Sequence, residues 1–243
     1  TVSILISPNS ETNFLKFLSG EINFLSGIDS KRIPELDKYQ ILNSPSNLCL
    51  ILALNPKEKP FDDIEVRKAI NLAIDKNKII QLAMNGKGTP IYTNMSPVMS
   101  KFLWAAPEEK ADPQKAKQIL EEKKLLPIKF TLKVPNSSKI YLDTAQSIKE
   151  QLKEVGIEAK IRKVEVSAVA TEKDYAFTPY AVVAAPIGDP YAYFNSAVKT
   201  GGVGNVGHYS NAEADQKIEA LATETDQKKR IQLSKDIQAL MDK

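Results

Sequence analysis

The 243 residues carry a net charge of +3, with 26% charged and 42% hydrophobic side chains, the make-up of an ordinary globular domain or of two small ones. So small a charge gives no reason to invoke nucleic acid, and no apolar run approaches the ~18 residues of a membrane span. The single Cys49 excludes a disulfide within the chain and says little about compartment.

In chain order, the first fifty residues read as β-α-β. Residues 2–6 are predicted as a strand, 11–18 as a short helix, and the Ser19-Gly20 turn leads into 21–25. The apolar run 48–54, ending at Asn55-Pro56, is a further strand. Asp62 or Asp63 then caps a helix with an acidic first turn, and Val66, Ala69, Ile70, Ala73 and Ile74 fall on its buried face. It runs to a turn at Gly86, beyond which a Pro-punctuated loop, 86–107, holds Met95, Met99, Phe102 and Trp104.

Asp112-Pro113 opens a further helix over 114–125, with Pro at its first position. Alternation over 128–134 predicts a half-buried strand. Tyr141, Ala145, Ile148, Leu152 and Val155 mark a helix face closed by Gly156, and 157–166 returns as a strand. The continuous apolar run 180–185 suits a covered central strand. A short helix over 189–198, a flexible Gly-rich loop, and helices over 211–222 and 225–241 follow. Strands alternating with helices argue for an α/β fold. The absence of a leader peptide, the abrupt opening strand and a last helix without a stop signal lead to the expectation of a fragment of a longer secreted protein.

Catalytic chemistry finds little footing. The chain has one histidine, so a Ser-His or Cys-His pair would have to use His208, and no strand–Ser–helix elbow precedes it. Carboxylates are numerous but lie on solvated helix faces, and no His/Cys cluster has metal-ligand spacing. Gly202-Val203-Gly204-Asn205-Val206-Gly207 matches a dinucleotide pattern, yet no strand precedes it and no helix opens directly after it. An enzyme is not expected. Arg67 is a tempting anion clamp, although a structural pairing on its own helix is the commoner use of such a residue.

The stretch from Pro60-Phe61-Asp62-Asp63 through Ala73-Ile74-Asp75-Lys76 closely resembles a segment of the family 5 extracellular solute-binding proteins, which serve peptide, nickel and opine ABC importers. Ser19-Gly20-Glu21-Ile22-Asn23 is similar too, with Asn23 in place of the usual Asp, as are 48–56, 112–125, 141–157 and Tyr209-Ser210-Asn211. The resemblance covers nearly the whole chain. It implies an α/β fold that is part of a bilobed type II periplasmic binding protein, a mixed sheet flanked by helices. Residues 1–55 would be the trailing segment of the first lobe and the hinge, and 56–243 a second-lobe α/β domain truncated before the chain returns to the first lobe. The hinge would pass near 52–60.

The implied function is that of a substrate-binding subunit of an ABC importer, catching a small solute outside the cytoplasmic membrane by lobe closure. The partners are a small-molecule, metal-chelate or peptide ligand and the ABC permease subunits, with no nucleic acid. The receptor is expected as a monomer, periplasmic or anchored as a lipoprotein to the outer face of the cytoplasmic membrane. With one wall of the cleft absent, the chain alone is expected to bind weakly.

In peptide receptors of the family an aspartate shortly before the Asp-Pro pair holds the peptide α-ammonium. That place falls here to Pro186, which cannot do so, and Ala185-Pro186-Ile187-Gly188-Asp189-Pro190 is similar to the nickel branch. The preference is therefore a nickel chelate, carried as cargo rather than as a resident cofactor, with His208 as the metal ligand. The alternatives are a di- or oligopeptide receptor and the solute-sensing module of a regulator, which would need a DNA-binding segment. The ligand-binding candidates are Pro186, Asp189, Tyr191, Tyr193 and Trp104. Against them stand plainer roles: Asp189 as a helix cap, the aromatics as core, and His208 as a surface loop residue.

Overall fold

In the computed structural model, residues 2–6, 9–136, 138–165, 168, 177–183 and 188–242 are described, the stretch 177–183 through its backbone alone. The chain divides into two compact units, Thr1–Ser44 and Pro45–Lys243.

The first unit holds helix α1, Ser10–Leu18, and a 3-10 helix, Ser30–Leu36. The Asn9 side chain accepts from the Thr12 amide at 2.9 Å and starts α1. Phe14 and Leu36 are buried, the Arg32 guanidinium lies 4.8 Å from the Phe14 ring centroid, and Arg32 also pairs with Glu11 and Glu35. The strands expected over 2–6 and 21–25 do not form. Val2, Ile4 and Ile6 are each more than 80% exposed, and no described residue of this unit pairs with them. A strand takes its stability from a hydrogen-bonded neighbour, and apolar alternation does not supply one.

The second unit is built on a mixed four-stranded sheet: β1 Leu48–Leu54, β2 Ile128–Pro135, β3 Ile157–Val164 and β4 Phe177–Val183, in the order β1-β4-β2-β3. Strand β1 runs antiparallel to β4, with Leu48 opposite Val183, and β2 runs parallel to both β3 and β4. The apolar run before Ala184 thus occupies an interior strand, as its continuity suggested. Residues 52–60, the expected hinge, lie within the second unit. The alternation expected of β2 fails from Leu132 onward, where Leu132, Lys133, Val134 and Pro135 are all buried. An interior strand covered on both faces loses the wet side that alternation presupposes.

Helices α2 Ile64–Ala73, α3 Lys76–Met84, α4 Pro113–Glu122 and α5 Lys139–Glu154 accompany this sheet. Asp63 caps α2, and the five stripe residues of its face are all buried in the main core with Leu120, Leu132, Ile148 and Leu152. The expected single helix is broken at Ile74 because its end is used from outside. The Leu72 carbonyl accepts from the Asp112 amide at 2.8 Å, and the buried Gln151 Oε1 accepts from the Asp75 amide at 2.6 Å. Asp75 then caps α3, which ends at Asn85 in the left-handed conformation. Arg67 Nη1 donates to the carbonyls of Phe61 (2.8 Å) and Asp62 (3.2 Å), the structural use rather than an anion clamp.

Cys49 is 3% exposed on β1, and burial pushes its thiol up to about 11. At pH 8 only ~0.1% of it would be thiolate. Thiol reagents at that pH are therefore expected to label Cys49 only as fast as the chain opens. Labelling at the rate of a free thiol under native conditions would contradict this placement.

Candidate functional site

Beside the sheet lies a second core, made by the 95–104 loop and the chain's last third. Helix α6, Tyr191–Tyr193, continues as a π-helical turn, Phe194–Val198, and is followed by α7 Ala212–Thr223 and α8 Gln227–Met241. Met95, Tyr193, Phe194, Val198, Ile218, Leu221 and Ile237 are buried there, with Phe102, Tyr191 and Tyr209 packed against them. The elements carrying Trp104, Tyr191, Tyr193 and His208 therefore meet around one apolar cluster.

Helix α8 ties these elements together. Near its start Arg230 reaches Asp189 Oδ2 through Nη2 (2.6 Å) and Nε (3.2 Å), while Nη1 donates to the carbonyls of Leu221 (2.7 Å) and Glu224 (2.5 Å). The other Asp189 oxygen accepts from the Tyr191 amide at 2.9 Å. Asp189 is thus at once a helix cap and half of a partly buried ion pair, with both oxygens engaged. One turn before the end of α8, Gln238 holds the backbone at Phe102 and Trp104. At its last residues, the Leu240 carbonyl accepts from the Tyr209 hydroxyl at 3.4 Å.

The Gly-rich segment expected to be flexible is a built loop. Asn205 is its hub: Nδ2 donates to the carbonyls of Tyr209 (2.7 Å), Lys199 (3.1 Å) and Val198 (3.4 Å), and Oδ1 accepts from the Tyr209 amide (2.9 Å). The Gly202 and Gly204 amides donate to the carbonyls of Lys199 and Ser196. Val206 packs on Ala53, and a Cβ at Gly207 would stand 3.3 Å from the Leu54 carbonyl oxygen. The glycines serve close backbone approach, not phosphate binding. A signal for the hub was present in Asn205 itself, a residue that bonds its own backbone in Gly-rich turns.

His208 follows this anchor, half-buried and at φ 50°, with its amide donating to the Asn205 carbonyl at 3.1 Å. A left-handed backbone is uncommon for a side-chain-bearing residue, and here the surrounding hydrogen bonds impose it. The residue before it, Gly207, lies against the Leu54 carbonyl at one end of β1. At the other end the buried Ser96 hydroxyl donates to the Ser46 carbonyl at 2.8 Å, fixing the start of the 97–104 stretch.

Of the remaining candidates, Trp104 and Tyr191 are half-buried, whereas Tyr193 is 5% exposed with its ring centroid 5.6 Å from that of Phe194. Pro186 lies outside the described residues. A polar pocket of about 210 Å³, lined by Lys76, Tyr92, Glu108 and Glu109 among others, contains none of the candidates. Lys76 lies over the Tyr92 ring at 4.5 Å, and Tyr92 donates to Glu108, so the aromatic face and carboxylate there are already partnered. No group of three or more His, Cys, Asp or Glu among the described residues is arranged to hold a metal, and none of their helices is long and apolar enough to cross a membrane.

The middle region of the bacterial extracellular solute-binding proteins, family 5, matches residues 1–205. The oligopeptide-binding protein AppA of Bacillus subtilis (strain 168) is 27% identical over all of this chain and 48% of its own length. A glutathione-binding protein GsiB, from Pectobacterium atrosepticum, is 28% identical over 90% of this chain and 46% of its own. The chain thus spans about half the length of the curated relatives it matches. The crystal structure of Bacillus subtilis AppA with a nonapeptide superposes with a TM-score of 0.82 at 25% identity, over 98% of this chain and 51% of that one. That of NikA from Staphylococcus aureus with Ni(L-His)2 gives 0.80 at 22% identity, over 97% and 52%. Both neighbours support an α/β fold that is part of a bilobed binding protein. The chain belongs to family 5 of the bacterial extracellular solute-binding proteins.

Proposed function

We propose that this chain is the solute-contacting part of an ABC importer receptor, which captures a small solute outside the cytoplasmic membrane and presents it to the permease subunits. The supporting observation is the alignment with an oligopeptide receptor over all of this chain and 48% of that protein, together with candidate segments that converge on one apolar cluster. The half-buried Trp104 and Tyr191, carried on hydrogen-bonded backbone, suit capture, because little ordering remains to oppose binding.

For the cargo we put a di- or oligopeptide first, on sequence kinship with the oligopeptide and glutathione receptors. A nickel chelate is the second reading, favoured by the one histidine of the chain standing on a firmly built loop. In that reading His208 supplies a neutral imidazole to the metal, and the chelating small molecule supplies the other donors. Calorimetric titration of the full-length receptor with a nonapeptide, and with Ni²⁺ plus L-histidine, separates them. Peptide binding that His208→Ala leaves within about threefold supports the first reading. Nickel–histidine binding that the same substitution weakens by ~10-fold or more supports the second. Heat from neither probe counts against both.

A further inference from the structure

Gln238 is 2% exposed, and both sides of its amide are in use. Its Nε2 donates to the Phe102 carbonyl (2.7 Å) and the Ser234 carbonyl (3.0 Å), and its Oε1 accepts from the Trp104 amide (3.4 Å). Ser234, one turn earlier and fully buried, donates its hydroxyl to the same Phe102 carbonyl at 3.0 Å. Two side chains of α8 therefore grip the backbone on either side of Leu103, in a stretch where residues 103–112 form neither helix nor strand. A flipped amide would set Oε1 against the Phe102 carbonyl and an N–H against the Trp104 amide, so the arrangement has a single orientation. Two buried polar side chains, more than 130 residues away in sequence, thus fix the backbone that carries Trp104.

We infer that Gln238, seconded by Ser234, is a positioning residue for solute capture: it holds Trp104 in place through the backbone of residues 102–104. The inference rests on the receptor reading above. The solute class that profits is one presenting an apolar or planar face to an indole, since a pre-placed aromatic contributes most when its own ordering is already complete.

Trp104 is the only tryptophan among these 243 residues, and in the full-length receptor its signal is isolated as the difference between each protein and the same protein carrying Trp104→Phe. Gln238→Met keeps the length of the side chain and removes its hydrogen bonds. In the full-length receptor it is expected to raise acrylamide quenching of Trp104 about twofold, through local loosening. Affinity for whichever of the nonapeptide or Ni²⁺–L-histidine binds the wild type should fall by about tenfold. Leu120→Ala, in the other core, is the control: it lowers the melting temperature and leaves the quenching constant unchanged. If Gln238→Met does not fold, Ser234→Ala, which removes one of the two bonds to Phe102, should shift quenching in the same direction by less. Quenching in the Gln238 or Ser234 variant no greater than in Leu120→Ala would overturn the positioning role even with binding intact in the wild type. A wild type that binds neither probe overturns the receptor reading, and the solute role of Gln238 with it, whatever the quenching shows.

Discussion

Gly202→Ala is expected to destabilise the chain by about 3 kcal/mol or more and to dismantle the loop that carries His208. A Cβ at this position would stand 2.2 Å from the Ser196 carbonyl oxygen and 2.9 Å from that of Asn195. Both atoms are backbone of the π-helical turn, which the Lys199 amide closes onto the Phe194 carbonyl at 2.8 Å. Neither can rotate away as a side-chain tip would. The Ser196 carbonyl also accepts from the Gly204 amide, so any retreat breaks the next turn as well. Gly201→Ala is the comparison: nothing lies within 4 Å of its Cβ, but φ is +74°. It should cost only about 1 kcal/mol, the ordinary penalty of a left-handed backbone. Denaturant midpoints of the two variants test the difference, and equal midpoints would mean that the close approach to Ser196 is not real.

Arg230→Ala should cost about 2–3 kcal/mol, less than a fully buried pair would, because the Arg230 and Asp189 side chains keep 19% and 31% exposure. The loss is that of an arginine serving three acceptors at once: Asp189 and the carbonyls of Leu221 and Glu224. Arg230→Lys should recover the smaller part, since a single ammonium on a flexible stem cannot span that fork. Solute affinity is expected to fall together with stability, because Asp189 opens the turn that bears Tyr191 and Tyr193. A double-mutant cycle with Asp189→Asn should return a coupling of about 1–2 kcal/mol. Additive effects of the two substitutions would dissolve the link between α8 and this turn.

Much of the fold was legible in the sequence wherever its cause is local. Asp63 and Asp112 open their helices as their positions suggested. The α2 stripe is buried, β1 spans 48–54, and Gly156 ends α5. Each of these depends on residues a few positions apart, which a linear pattern displays directly. The strand expected at 2–6 failed for the opposite reason, since its stability depends on a neighbour that its own residues do not specify. The candidate site was legible only as a set of segments. Asp189 stands in the sequence as a ligand-binding candidate with a helix cap as the plainer role, but its partner Arg230 lies 41 residues on. Trp104 was recognised as a loop aromatic, but its anchor Gln238 lies 134 residues on.

What the sequence by itself determined, then, is most of the succession of helices and strands beyond residue 48, the α/β class and the resemblance to a solute-receptor family. These follow from periodicity, capping and the residue identities of 60–76. Only the tertiary structure decided that β4 lies between β1 and β2 and that the helix predicted from Asp62 or Asp63 to Gly86 breaks at Ile74. It alone showed the glycine loop to be pinned by Asn205 and the segments carrying Trp104, Asp189 and Tyr209 to be tied to α8. The physical reason is that a buried arginine or amide chooses acceptors by where the folded chain brings carbonyls within ~3 Å, and that proximity is written in no local stretch of sequence.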